Sequence, residues 1–222
     1  MTLTIDIWSD VACPWCLIGK RRFDAALAGF PFRDRVSVVY HSYVLDPDLP
    51  GRYEGTEEQY LAERKGLAPG QVRRMLDHVG GQAASVGLAY DWDGLVVASS
   101  LPAHRLLHGA RRLDEADATR GVQARLKDAL LVAHFVEGRD LSDADELVAL
   151  AVASGLTDAE ARAALADPGA SDAVAADLAL AREYGISGVP FYVLGDKYGL
   201  SGAQPVEVFS QAIEQAWADL NP

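Results

Sequence analysis

The sequence predicts an α/β fold in which one small mixed sheet is assembled from the two ends of the chain, with a block of helices inserted between them. Three observations lead there. The opening stretch reads strand, helix, strand; the closing stretch reads strand, strand, helix; and the long middle is alanine-rich and helical, interrupted only by turn signals. The expected division is residues 1–45 with 186–222 for the sheet domain and 46–185 for the helical insertion.

Each element has its own local reason. Residues 3–8, LTIDIW, and 36–42, VSVVYHS, are short and rich in β-branched and aromatic side chains, the composition of strands. Between them, residues 14–29 repeat apolar positions at helical spacing (Leu17, Ile18, Phe23, Ala26, Leu27), which leaves Lys20, Arg21, Arg22 and Asp24 expected to face water. A strand, helix, strand order implies parallel pairing and a right-handed crossover. A Pro/Gly-rich connector, LDPDLPGRYEGT, then leads into the helical block. There Thr56 with Gln59 forms a capping box for a helix to Lys65, and Pro69 suits a first helical turn. GLAPG, DWDG and DPGAS read as turns. Residues 172–184 place Val174, Leu178 and Ala181 on one face, and Gly185 provides a stop. PFYVL and KYGLS flank Gly195-Asp196, a hairpin signature, and Pro205 opens a last helix lined by Val206, Phe209, Ile213 and Trp217.

Charge and composition exclude several functions. A formal charge of −12 and a pI near 4.7 argue against nucleic acid as a partner, because phosphate binding needs a concentrated basic surface. No apolar run is long enough to span a bilayer, and MTLTIDIWSD has no basic leader or apolar core of a signal peptide, so the expectation is a cytoplasmic protein with no membrane partner.

The two cysteines carry the chemistry. Cys13 and Cys16 are the only thiols in 222 residues, separated by Pro14 and Trp15 at a strand-to-helix junction. In a reducing compartment such a pair is a poor structural staple. A zinc site needs four ligands, which two cysteines without finger-like histidine spacing do not supply, so no metal is expected. Cys13 falls at the N-cap, with Pro14 at the first helical position. Free amides of Trp15 and Cys16 are then expected to favour its thiolate and make it the nucleophile, while Cys16, one turn further in, resolves the mixed disulfide. Pro190, in GISGVPFYV, must sit at a strand start or edge, and base rates for X-Pro bonds favour a trans proline.

SDVACPWCLIGKRRF together with SGVPFYVLGDKYGLSGAQPVEVF resembles the DsbA-like branch of the thioredoxin superfamily, specifically its FrnE-type group, over the whole chain. The resemblance implies a thioredoxin fold, with a mixed parallel and antiparallel sheet, interrupted by a large all-helical domain. It also implies a nucleophilic Cys13, a resolving Cys16, and a cis Pro190 that faces the disulfide, excludes metals and shapes a substrate groove. Val189 would offer its carbonyl and amide to an extended substrate, as in β-augmentation. SSLPAHRLLHGARR resembles the family's Asn-Thr-x-x-Ala-His-Arg-Leu helix, with Ser99 where Asn is usual, and brings His104 toward the dithiol site; His104 and His108 four residues on could also pair on a metal, although a buried or solvated role is commoner. Some relatives carry a second cysteine pair near the C-terminus, and this chain does not.

The expected function is protein-disulfide exchange through Cys13-Pro14-Trp15-Cys16. Pro14, Trp15, Val189, Pro190 and His104 contact the substrate, and no cofactor is needed beyond the thiols. Partners would be protein or small-thiol disulfides, glutathione or another low-molecular-weight thiol among them, and a homodimer could form through the helical insertion. The alternative is a glutathione-dependent isomerase or a kappa-class-like glutathione transferase on the same fold. Those relatives usually carry serine at the position of Cys13.

Overall fold

The computed structural model describes residues 1–117 and 119–221. Strand β1 (Leu3–Ser9) lies at the centre of a four-stranded sheet of order β2-β1-β3-β4. It pairs parallel with β2 (Val36–Ser42) and antiparallel with β3 (Phe191–Leu194), which turns back on β4 (Tyr198–Ser201). Gly195 and Asp196 both take positive φ in that turn, at 59° and 55°, a backbone geometry that glycine and aspartate tolerate better than most residues. Helix α1 (Pro14–Gly29) and the terminal helix, here α9 (Val206–Leu220), pack together beside the sheet, where Phe23, Tyr192, Phe209 and Ile213 form its core.

The insertion supplies seven helices among the described residues: α2 (Glu57–Lys65), α3 (Pro69–Ala84), α4 (Leu101–Ala116), α5 (Val122–Phe135), α6 (Ala144–Ser154), α7 (Asp158–Ala166) and α8 (Pro168–Glu183). The capping box of Thr56 and Gln59 is formed, with Gln59 N bonded to Thr56 Oγ1 at 3.3 Å and Thr56 N to Gln59 Oε1 at 2.9 Å. Helix α8 begins four residues earlier than its periodicity suggests. Asp167 caps it by accepting from Gly169 N at 2.8 Å, and Pro168 takes the first helical position, so the turn signal DPGAS is the helix start.

Two polar junctions tie the insertion to the sheet. Gln123 of α5 pairs with the outer edge of β2, accepting from Tyr40 N at 3.0 Å and donating to Tyr40 O at 2.8 Å. Buried Asp177 of α8 accepts from His41 Nδ1 at 2.8 Å and from Ser42 N at 2.7 Å, with His108 Nε2 of α4 at 3.2 Å. His41 is gripped on its other nitrogen by Asp6 at 2.7 Å and stacks on Trp8, whose indole donates to Asp177 O at 3.1 Å. His108 is consumed by this junction, with Ser42 Oγ 3.1 Å away, rather than paired with His104 on a metal.

The basic run of α1 is only partly open to water: Arg21 and Arg22 are half-buried and Lys20 is buried. Lys20 is buried, bonded to Asp24 at 2.6 Å and 3.6 Å from Asp128 of α5; Arg21 forms an ion pair with Asp128; Arg22 donates to Gln82 Oε1 at 2.8 Å and Ala203 O at 2.7 Å. Apart from Asp24, their partners come from segments far away in the chain, which periodicity within α1 does not reveal.

Candidate active site

Strand β1 ends at Ser9 and the chain turns at Asp10 to enter α1. Asp10 is fully buried and works as an anchor: Oδ1 accepts from Ala12 N at 3.2 Å and from His104 Nε2 at 3.1 Å, and Oδ2 accepts from Leu45 N at 2.8 Å. Burial pushes the carboxyl up, but these donors and the Lys127 charge outweigh it and hold Asp10 at about 2. His104 is held below the usual histidine value chiefly by burial, and its Nδ1 has no partner. A neutral ring donating Nε2–H to Asp10 satisfies both facts, since only an acceptor lone pair is then left unpaired.

The turn delivers Cys13 to the N-cap of α1 with an extended backbone (φ −102°, ψ 110°), and Pro14 follows at the first helical position. Tyr90 Oη donates to Pro14 O at 2.6 Å and fixes this first turn from the insertion side. Cys13 and Cys16 are both free thiols, 4 % and 2 % exposed. Cys13 lines a cavity of about 670 Å³ whose wall includes Pro14, Trp15, Leu49, Tyr60, Leu76 and Val189; Cys16 does not line it. The outer thiol therefore meets the cavity and the inner one sits behind it.

The Val189–Pro190 peptide is cis. Cys13 Sγ donates to Val189 O at 3.4 Å, and the Val189 N–H has no partner among the described residues. Pro190 itself is buried and does not line the cavity; the residues that do are Gly188 and Val189. Pro190 lies against α1 at Gly19, where an added methyl would come within 2.9 Å of Pro190 Cγ and 2.7 Å of the Tyr192 hydroxyl. The substrate-facing position expected of Pro190 thus falls on Val189. His104 also departs from expectation. It is 0 % exposed and bonded to Asp10 rather than turned to the cavity, so it supports the loop and does not contact substrate.

The charge of the thiol pair departs further. Cys13 makes no side-chain capping bond to α1. Its hydrogen bond with Cys16 pushes it up, burial and the Cys16 and Asp10 charges push the same way, and the Cys16 amide pulls down too weakly to compensate. Cys16 is raised by burial, but the neighbouring Cys13, the Lys127 charge, the Asp10 backbone and the Ser9 hydroxyl bring it below the usual cysteine value.

Sequence reasoning passed over three polar residues of this neighbourhood: Asp10, Lys127 and His134. His134 lines the cavity and burial lowers it to about 4, which keeps it neutral. Lys127 and His134 were visible as polar positions on the otherwise apolar stripe of α5 that also carries Leu130 and Leu131. Among the described residues no three His, Cys, Asp or Glu side chains cluster as a metal site, and no helix is long and apolar enough to cross a membrane.

A profile of the DSBA-like thioredoxin domain matches residues 4–214. The chain belongs to this family. A crystal structure described as a probable DsbA oxidoreductase from Streptomyces coelicolor is 43 % identical, with a TM-score of 0.86 over 99 % of this chain and 92 % of that one. The cytosolic disulfide reductase DsbM from Pseudomonas aeruginosa, solved with GSH, shares the fold at 20 % identity and a TM-score of 0.60, covering 98 % and 96 % of the two chains. A 2-hydroxychromene-2-carboxylate isomerase shares it too, at 15 % identity and a TM-score of 0.62 over 99 % and 100 %. No curated protein matches at the similarity required. The family is built on a thioredoxin-like fold, here with an inserted helical region, and its 43 % identical relative is described as a probable oxidoreductase.

Proposed function

We propose that the protein is a thiol-disulfide oxidoreductase that exchanges disulfides through Cys13 and Cys16. The observation that carries this reading is the arrangement of the pair: one thiol on the cavity wall, donating to the Val189 carbonyl, the other in the first turn of α1 behind it and withdrawn from the cavity. Cys13 forms the mixed disulfide and Cys16 displaces the substrate sulfur from it, which needs no cofactor beyond the two thiols. The unpaired Val189 N–H is available to an extended peptide approaching Cys13. The cavity volume suits a low-molecular-weight thiol equally well, and a related fold solved with GSH makes glutathione a reasonable co-substrate to assay.

The isomerase and transferase reading uses a bound thiol as nucleophile and has no use for a second protein sulfur. The presence of two free thiols in the first turn of α1 favours exchange over it. Reduction of insulin by dithiothreitol, monitored by turbidity, tests the proposal. Cys13→Ser is expected to abolish catalysis, and Cys16→Ser to accumulate a mixed disulfide on Cys13 visible by mass; full activity in Cys13→Ser would overturn the reading.

A further inference from the structure

The cavity that Cys13 lines holds an acid without a partner. Helices α2 and α3 make its wall apolar with Leu61, Met75, Leu76 and Val79. Most charged groups around it are matched or open to water. Asp46 is ion-paired with Arg64 and accepts from the Tyr60 hydroxyl at 2.6 Å, Asp10 is bonded to Ala12, Leu45 and His104, and Asp48 and Lys65 are exposed. Glu57, in the first turn of α2, is half-buried in the same wall and forms no ion pair among the described residues. The one charge acting on it is Lys65, further along its own helix. From α3, Arg73 pairs with Glu58 at 3.5 Å, and His78 packs on Trp15 without lining the cavity. An acid at a helix start favours the helix dipole, but Glu58 already supplies one there outside the cavity. Burial pushes the Glu57 carboxyl up to about 7 against the pull of Lys65, and a cation beside it would reverse that push.

Resting on the exchange reading above, we propose that the cavity takes disulfides of small aminothiols, with Glu57 receiving the ammonium group of the substrate. Its volume of about 670 Å³ is that of a small-molecule site, and it puts this carboxyl and the Cys13 thiol in contact with the same contents. The ammonium matches the carboxylate inside the wall, and below pH 7 its entry drives a proton off Glu57. Cys13 Sγ bonds to one substrate sulfur as the substrate S–S bond breaks and the other half leaves. Cys16 Sγ then closes the Cys13–Cys16 disulfide and releases the second half. The two halves depart as two aminothiols carrying the two electrons and two protons of the protein dithiol. A disulfide with carboxylates in place of the ammonium groups meets like charge at Glu57 and is disfavoured.

Labelling Cys13 reads the charge of the site without turnover. Cys16→Ser leaves Cys13 as the one thiol and removes the sulfur that would expel an adduct. It is treated with 2-aminoethyl methanethiosulfonate, a cation, and with the 2-sulfonatoethyl analogue, an anion. In both reactions the Cys13 thiolate bonds to the thio sulfur and methanesulfinate leaves, and adducts are followed by mass. The ratio of the two rates cancels the ionisation of Cys13, and dividing it by the ratio for a free cysteine peptide cancels reagent chemistry. At pH 8 the cation should be favoured, and adding Glu57→Gln should lower the ratio about three- to tenfold. With Glu57 intact the ratio should fall by a similar factor between pH 8 and pH 6, while Glu57→Gln should be flat there. Asp10 at about 2, His134 at about 4 and Tyr60 at about 12 each keep one state over that range. A structural Glu57 would move the urea midpoint and leave the ratio in place, which overturns the proposal. If Glu57→Gln does not fold, a ratio that stays flat with pH in Cys16→Ser alone overturns it. Reduced wild type should also lose its free thiols faster to cystamine than to dithiodiglycolate, each relative to the peptide, and equal rates overturn the substrate class. The labelling needs no exchange activity, so it separates a wrong role for Glu57 from a wrong reaction, which the insulin assay detects alone.

Discussion

Replacing Asp10 with asparagine removes a charge while nearly preserving shape, and the structure sets the size of the effect. The carboxyl sits at about 2 in the folded protein against about 3.9 in an unfolded chain. A group whose folded value is depressed contributes stability above its unfolded value and loses it as pH falls through the folded one. For Asp10 that contribution is about 2–3 kcal/mol at neutral pH, and about half of it is gone by pH 3. Asparagine also turns an NH₂ toward one of three donors, Ala12 N, Leu45 N or His104 Nε2, and leaves that donor unsatisfied. Urea unfolding of both proteins at pH 7 and pH 3 measures the difference. The variant should be less stable by at least about 2 kcal/mol at pH 7, with the gap narrowing by about 1 kcal/mol at pH 3. An equal gap at the two pH values would refute the claim that the Asp10 charge anchors the loop, and no gap would refute the anchor itself.

Two further substitutions test the scaffold around the site. Asp177→Ala strips the acceptor from His41, Ser42 N and His108 in a buried junction and should cost about 3–5 kcal/mol, read as a fall in Tm of about 6–20 °C; a change of under about 2 °C would mean the junction contributes little. Gly19→Ala places a methyl against Pro190 and the Tyr192 hydroxyl and should destabilise by about 1–3 kcal/mol while slowing insulin reduction, because α1 or the Val189–Pro190 segment must shift. Wild-type stability with wild-type turnover would show that the contact is loose.

What the sequence made legible is what local chemistry decides. The hairpin at Gly195-Asp196, the Thr56–Gln59 box, the Pro14 helix start and the parallel β1–α1–β2 unit all follow from residues within a few positions of one another. Remote partners were illegible. Asp10 stands in plain view three residues before Cys13, but its donors come from Leu45 and His104, and only the fold reveals that it is an anchor. Asp167-Pro168 reads equally as a turn or a helix cap, and packing of Ala170 and Val174 decides for the helix. The amide argument for Cys13 was sound in kind: the Cys16 N–H does act on that sulfur, but burial of the thiol and its neighbours Cys16 and Asp10 outweigh it, and burial is set by the packed fold.

The Gln123 clasp on Tyr40 and the Asp177 junction bear on how this architecture could be shortened. A splice from Tyr43 to Ile186 would delete the helices and strand the Tyr40 amide and carbonyl, the His41 ring, the Ser42 amide and the Trp8 indole without their present mates. A shortened chain would need new polar companions along β2 to keep this sheet satisfied, so the helical block completes the sheet's hydrogen bonding as its own strands do.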